Sequence, residues 1–338
     1  MVRGALVEAS YVGTLAHGLT NSTLVNLNQL PIDYLALGPL LTRNLADPAV
    51  AAAGFRAPYP TFRGTLAQSL RAFPQYQNVS LLDAPTGNST YHALFLKSEK
   101  RFSSGLQFLV SYALAKNITD VTFTNVDLAA PQDQFNRRAE RSISDVDVPQ
   151  RLTASFIYEL PFGKGKPWLQ RGLASRLLGG WSLAGILGYE SGGTLRITTP
   201  NNLPIFNGHL RPNRVEGVAI RSGGGHGSFR PLNGLTGDAG EHFLNRDAFA
   251  LPAPFTLGTL GTFLPDVRSF GVRNEDVSII RRISVPELRR IEIRADLFNL
   301  LNRKNLAAPI TDLSNPNFGR VTGQAAARIV QLGFRMEF

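Results

Sequence analysis

The chain has 338 residues, no cysteine and a formal net charge of +10. Without cysteine it has no disulfide framework, no thiolate metal site and no cysteine nucleophile. Hydrophobic residues make up 43% of the chain, yet the mean hydropathy is only -0.05, and no segment reaches the roughly 18 consecutive apolar residues that a membrane-spanning helix requires. The basic residues are scattered and form no run of about 5–8 that would mark a nucleic-acid patch, so no nucleic-acid partner is expected.

Eight segments alternate between apolar and polar residues with a period of two. This period predicts β-strands, because successive side chains of a strand point to opposite faces. In the fourth segment, for example, Leu152, Phe156 and Leu160 face one way, while Arg151 and Glu159 face the other. In chain order, the predicted strands cover residues 6–14, 91–102, 106–115, 151–160, 181–190, 274–283, 290–297 and 330–338.

The connections between these strands are alternately long and short, so all short connections lie at one end of the predicted sheet. Barrels of the bacterial outer membrane have short periplasmic turns and long extracellular loops, whereas long irregular loops are uncommon in compact soluble domains. The sequence therefore predicts an all-β fold, an antiparallel transmembrane β-barrel with long extracellular loops. The short connections are 103–105, 161–179 and 284–287, and the long ones are 16–90, 117–147, 198–272 and 301–325.

Aromatic residues occur on the apolar faces of the strands, many of them near strand ends. Membrane barrels place aromatic side chains in girdles at both interfaces, although β-strands also favour aromatic residues in soluble proteins. We interpret the pattern as a girdle. Its predicted members are Tyr11, Phe102, Tyr112, Phe156, Tyr158, Trp181, Tyr189 and Phe338.

The polar faces of the predicted strands carry charges of both signs. We expect these charges to line the lumen, where they would hydrate the pore and contact a plug, with substrate binding as a less favoured role. The predicted lumen-facing charges are Lys97, Glu99, Arg101, Arg151, Arg290, Glu292, Arg294, Asp296, Arg335 and Glu337.

The last nine residues form the most regular of the predicted strands. One face is wholly apolar and the other is polar, which suits a strand between lipid and a watery lumen. A soluble antiparallel sheet with one solvated face would show the same alternation, so this strand is informative only together with the sorted connections. The apolar face consists of Val330, Leu332, Phe334, Met336 and Phe338.

No arrangement of residues points to catalysis, a cofactor or zinc. The five histidines are far apart in the sequence, with no pair at the spacing of metal ligands on a helix. The glycine-rich run at 223–227 lacks the Lys-Ser/Thr pair of a phosphate loop. Asp145 and Asp147 could hold calcium together with other loop carboxylates, but a solvated loop end is the favoured interpretation.

Several runs of residues resemble the barrel of TonB-dependent outer-membrane receptors, and more narrowly the Oar-like group of these receptors. The matches are spread over nearly the whole chain and occur in family order, so chance is improbable. They are APYPTFRGTLAQ at 57–68, RAFPQY at 71–76, DVPQRL at 147–152, YELPFGKGK at 158–166, LGGWSLAG at 178–185, RADLFNLLN at 294–302, NFG at 317–319 and the final strand from Arg328.

The resemblance implies a role in the energised uptake of a solute, such as an oligosaccharide, a siderophore or a peptide, across the outer membrane. It implies contact with outer-membrane lipid, with a plug domain and the energising partner TonB, and with the barrel-assembly machinery, which would read the final strand with its terminal Phe338. No cofactor and no enzyme activity are implied.

The chain also departs from the family pattern. Signal peptide, TonB-contacting segment, plug domain and N-terminal regulatory-like sandwich do not occur in it, and related barrels have about 22 strands. We therefore expect residues 1–338 to be the C-terminal segment of a receptor barrel, with Met1 an internal or truncated start and the first and eighth strands left as open edges. The alternative is a small independent barrel that acts as an adhesin or a passive pore. A soluble β-sandwich enzyme or sugar-binding module would need polar residues on both strand faces or a clustered site, and neither is seen in the sequence.

Overall fold

The computed structural model describes residues 4–21, 25–121, 131–201, 205, 210–223, 228–233, 237–284 and 290–337. Its main feature is one antiparallel sheet in which eight long strands follow each other in chain order. All eight predicted strands are confirmed. They are β1 (Ala5–Asn21), β2 (Ala84–Ser103), β3 (Leu106–Thr119), β4 (Gln150–Glu159), β5 (Trp181–Glu190), β6 (Val272–Ile283), β7 (Arg290–Phe298) and β8 (Ile329–Glu337).

Strands β1 to β3 are longer than predicted. They have 17, 20 and 14 residues, whereas β4 to β8 have 9 to 12, close to the roughly 9–11 residues that cross a bilayer. The additional length lies at the long-loop end, where Asn88, Thr90 and Lys116 replace apolar residues on the otherwise apolar face. Polar residues on both faces indicate that these strand ends project beyond the hydrocarbon.

The short connection between β2 and β3 is a two-residue turn. Ser103 pairs with Leu106, and the two residues between them, Ser104 and Gly105, have φ angles of 51° and 80°. Positive φ at both central positions is the signature of a type I′ turn, whose twist matches that of the strands. Lys100, which is buried, donates to the carbonyl oxygens of Ser103 and Leu106 at 2.6 and 2.8 Å and so fastens this end of the hairpin.

The remaining elements are short. Ser142–Ile143 extends the sheet beside β3, and two further pairs form separate ladders, Val25–Asn26 with Ser80–Leu81 and Asn213–Arg214 with Phe249–Ala250. No helix in the described part of the chain is long and apolar enough to cross a membrane. The helices are Ile32–Thr42 and Arg246–Ala248, both of 3-10 type, and the α-helices Pro48–Ala52, Leu66–Ser69, Arg137–Glu140 and Gly172–Leu178.

The buried hydrophobic residues lie mainly in the long connections and not between layers of sheet. One cluster joins the β5–β6 and β7–β8 connections, and Phe229, Leu244 and Phe318 are at its centre with at most 1% exposure. A second cluster lies mostly in the β1–β2 connection and includes Leu41, Leu66 and, from the β5–β6 connection, Ile205. The long connections are therefore packed structures with their own cores.

The LFNLLN run, residues 297–302, ends β7 and begins the β7–β8 connection. Asn299 and Asn302 both adopt left-handed φ angles, 52° and 51°. The Asn299 side chain donates to the carbonyl oxygens of Arg303 and Ala326 at 3.0 and 3.3 Å and accepts from the Arg303 amide at 2.7 Å. Asparagine tolerates this backbone region better than other side chains do. The motif therefore holds the start of the β7–β8 connection against its end.

We expect Asn299→Ala to destabilise the folded barrel by about 1–3 kcal/mol, because alanine lacks the bonds to Arg303 and Ala326 and has a Cβ in a left-handed conformation. Asn299→Gly should recover only the part of the lost stability that comes from the left-handed backbone, because glycine has no Cβ but also lacks the side-chain hydrogen bonds. The urea midpoint of unfolding of the full-length protein, followed by its heat-modifiable gel mobility, measures both effects. Equal midpoints for the two variants and the natural protein would contradict this role.

Candidate functional site

One face of the sheet carries nine of the ten charges predicted to face a lumen. Directly opposite residues of neighbouring strands share a face, so the register of the eight strands defines two faces. We call the face of Lys97 the polar face. Arg101 falls in the register shift between Lys100 and Ser103, so the pairing does not assign it to a face. The other predicted charges on this face are Glu99, Arg151, Arg290, Glu292, Arg294, Asp296, Arg335 and Glu337.

Most charges of the polar face lie in local ion pairs. Lys97 lies 2.8 Å from Glu99 and 3.5 Å from Glu8 on the neighbouring strand. Similar pairs are Arg151–Glu190 at 3.0 Å, Arg294–Asp296 at 2.7 Å, Arg282–Glu292 at 2.9 Å, Arg290–Glu292 at 3.4 Å and Arg335–Glu337 at 3.2 Å. Solvent-exposed pairs of this kind contribute little to stability. Their effect is to make the surface hydrophilic without a strong field of either sign.

An apolar patch interrupts the polar face near its centre. A cavity of about 500 Å³ spans β3 to β7, and its floor includes Leu109, Ile157 and Ile186, while Asp276 and Asp296 lie beside them. Ile186 is directly opposite Ser155 on one side and Asp276 on the other, which places it on the polar face. This patch could not be predicted from the sequence, because apolar and polar residues alternate regularly in the strands around it. The combination of an apolar floor with carboxylates suits a partly apolar binding partner.

The opposite face is apolar and highly exposed. On β8, Val330, Leu332, Phe334 and Met336 are 40–79% exposed and lie opposite aliphatic residues of β7. Phe338, the fifth member of the predicted apolar stripe, lies outside the described residues. An apolar surface of this extent is stable only against lipid or another apolar surface.

Charged residues on the apolar face lie towards its two ends. At the long-loop end, Glu275 is 3% exposed, accepts a hydrogen bond from the Tyr189 hydroxyl at 3.0 Å and lies 3.3 Å from Arg303. At the short-connection end, the Arg281 guanidinium lies over the Trp181 ring at 5.3 Å. Charge costs least near the interfaces of a bilayer, where amphipathic tyrosine and tryptophan side chains are also favoured.

The long connections are joined to each other by buried polar contacts. Arg211 lies 2.7 Å from Glu140, and both side chains are 7% exposed. Gln132 accepts from the Arg211 amide at 2.7 Å, and so the β3–β4 connection is bound to the β5–β6 connection. Burial, and next the neighbouring Arg211, lower the pKa of Arg196, whereas Glu140 raises it.

The expected alternatives for Asp147, a calcium ligand or a solvated loop end, are both wrong. Its carboxylate is buried, pairs with Arg268 and accepts the Asn117 amide at 2.6 Å. These donors occupy the oxygens that a cation would need. Across the described residues, no group of histidine, aspartate and glutamate could hold a metal ion. His209 and His226 lie outside the described residues.

Residues 1–331 match the family described as outer membrane beta barrel domain. The chain belongs to this family. The prediction of an antiparallel outer-membrane β-barrel fold is thus confirmed, as is the outer-membrane location. In the described structure the barrel is open, because β1 pairs only with β2 and β8 only with β7.

No curated protein sequence matches this outer membrane β-barrel. Among solved structures, the outer membrane transporter YddB from Escherichia coli is similar over 100% of this chain, with 11% identity and a TM-score of 0.44. The chain spans 31% of the length of that transporter.

We expect Arg211→Met to loosen the packed connections of the barrel, because Glu140 would remain buried without its cationic partner. Loss of one member of a buried ion pair costs about 3–5 kcal/mol. Hydrogen exchange of amides in the β3–β4 and β5–β6 connections should accelerate accordingly.

A matched control for this variant is Arg230→Met, which removes the exposed Arg230–Glu241 pair at 3.4 Å. This change should alter stability by less than about 1 kcal/mol. The same exchange rates in both variants would show that the Arg211–Glu140 pair does not hold the connections together.

Proposed function

We propose that this chain is the C-terminal part of the barrel of a TonB-dependent transporter, which takes up a solute across the outer membrane. The supporting observation is the open sheet. A strand edge exposed to hydrocarbon leaves backbone groups without hydrogen bonds, and β1 and β8 do not pair with each other within the described structure. Further strands are needed to complete the barrel, which favours a large transporter barrel over an independent eight-stranded one.

The polar face supports a conduit through this barrel. Its paired charges keep the surface hydrated, and the cavity around Ile186 offers an apolar contact beside Asp276 and Asp296. In the proposed mechanism, the packed long connections capture the solute on the cell surface. A plug, contributed by another part of the protein, contacts the polar face and is displaced by TonB. The solute class, an oligosaccharide, a siderophore or a peptide, follows from the resemblance alone.

A growth and uptake assay tests energised transport. The full-length gene is deleted and restored in strains with and without TonB, and growth is compared on single carbon and iron sources. We expect one source to support growth only when both gene and TonB are present. Uptake that persists without TonB would identify a passive pore, and a protein absent from the outer-membrane fraction would refute both functions.

A second variant tests the conduit itself. Ile186→Arg places a bulky cation in the cavity and should lower the initial rate of uptake by about tenfold, the equivalent of 1.4 kcal/mol of lost interaction. The matched control is Val12→Arg, which adds the same side chain to the polar face on β1, outside the cavity. Unchanged uptake by the Ile186 variant, in a barrel with normal heat-modifiable mobility, would remove the cavity from the transport route.

A further inference from the structure

The connection between β4 and β5 differs in composition from the rest of the chain. Residues 160–180, which we call the rim segment, contain four basic residues and no acidic one. The segment lies at the short-connection end of the sheet and includes the helix Gly172–Leu178. Its basic residues are Lys164, Lys166, Arg171 and Arg176.

The large apolar side chains of the rim segment are exposed to solvent. Trp168, Leu173 and Leu177 are 61%, 75% and 63% exposed, and the helix buries none of its residues. Leu173 and Leu177 are four residues apart, so they lie on the same side of the helix. Such residues would normally pack against a protein core, and here nothing in the described structure covers them.

Two contacts hold the helix against the apolar face of the sheet. The Trp181 indole donates to the carbonyl oxygen of Leu177 at 3.0 Å, and Arg281 donates to the carbonyl oxygen of Arg176. Trp181 and Arg281 are directly opposite each other on β5 and β6, and both belong to the face that contacts lipid. The rim segment is therefore attached on the lipid side of the barrel wall.

Glycines make the rim segment a close-packed structure. A Cβ on Gly163 would lie 2.7 Å from the Cα of Gly179, and one on Gly180, where φ is 79°, would lie 2.3 Å from the Arg282 carbonyl oxygen. These approaches explain Gly163 in the FGKGK run and Gly180 in the LGGW run. They also fix the exposed side chains in place relative to the sheet.

We propose that the rim segment lies in the headgroup region of the periplasmic leaflet and binds anionic phospholipid. Two exposed leucines on one side of a short helix, with an exposed tryptophan four residues before the helix and with lysine and arginine nearby, are the composition of an interfacial membrane contact. Lys164, Arg171 and Arg176 are exposed, whereas Lys166 is held by Glu159 at 2.5 Å. The exposed cations complement the phosphate groups of such lipids. The periplasmic side rests on the proposed orientation, in which the short connections face the periplasm.

Tryptophan quenching tests the contact directly. The full-length protein and its Trp168→Phe variant, both of which keep Trp181, are placed in phosphatidylcholine vesicles with brominated acyl chains, with and without phosphatidylglycerol, and the difference between their emission spectra is the emission of Trp168. We expect brominated lipid to quench Trp168 emission, and phosphatidylglycerol to increase the quenching. Trp168 that remains unquenched in both vesicles would overturn the proposal and would indicate that a protein covers the segment.

Two double variants separate the apolar contribution to membrane binding from the ionic contribution. Leu173→Gln with Leu177→Gln should abolish most of the quenching, whereas Arg171→Gln with Arg176→Gln should remove only the increase caused by phosphatidylglycerol. The matched control is Leu251→Gln in the β5–β6 connection, an equally exposed leucine at the other end of the barrel, which should change nothing. Quenching that is independent of phosphatidylglycerol in the natural protein would refute binding of anionic lipid.

Labelling of a Lys164→Cys variant, at an exposed position outside the apolar contact, distinguishes this proposal from the transport function. A membrane-impermeant maleimide added to intact cells should not react with it, and should react once the outer membrane is permeabilised. Reaction in intact cells would overturn the periplasmic placement. Since the vesicle measurement needs neither a solute nor TonB, its outcome does not depend on whether the barrel transports anything.

Discussion

The structure depends on one constraint, that a strand crossing hydrocarbon must have both of its backbone edges paired. The eight strands meet it through antiparallel neighbours in chain order, and only the outer edges of β1 and β8 remain in the described part. Once the backbone is paired in this way, each side chain has only to suit lipid or water. This explains why residues such as Leu332 on the apolar face are highly exposed in a correctly folded barrel wall.

A wall one sheet thick cannot build a core of its own, and the buried hydrophobic residues therefore lie in the long connections. Leu244 and Phe318 belong to one cluster and Leu41 to another, while the Arg211–Glu140 pair crosses between connections. A buried ion pair adds little net stability, because both charged groups lose their hydration. This pair instead holds the β3–β4 connection against the β5–β6 connection. The long-loop end is thus a packed surface of defined shape, which suits the proposed capture of a solute.

The strands could be predicted from the sequence because apolar and polar residues alternate with a period of two wherever one face of a strand contacts lipid. Where no face of a segment contacts lipid, this alternation is lost. The projecting ends of β1 to β3 are polar on both faces, and the loop cores around Phe229 follow no period because their backbone is irregular. Asp147 could not be assigned either, since its partner Arg268 is 121 residues away. The patch at Ile186 could not be predicted, because only the pairing of the strands brings Leu109, Ile157 and Ile186 together.

The distribution of charge over the molecule constrains where selectivity can arise. The polar face is close to electrically balanced, since its cations such as Lys97 and Arg294 each have a carboxylate within a few ångströms. Such a surface neither attracts nor repels a charged solute over a long distance. The rim segment, in contrast, carries four basic residues and no acidic one, and it is attached on the lipid side of the wall. In the proposed transport function, recognition of a solute would therefore rest on short-range contacts, in the packed connections and in the cavity beside Asp276.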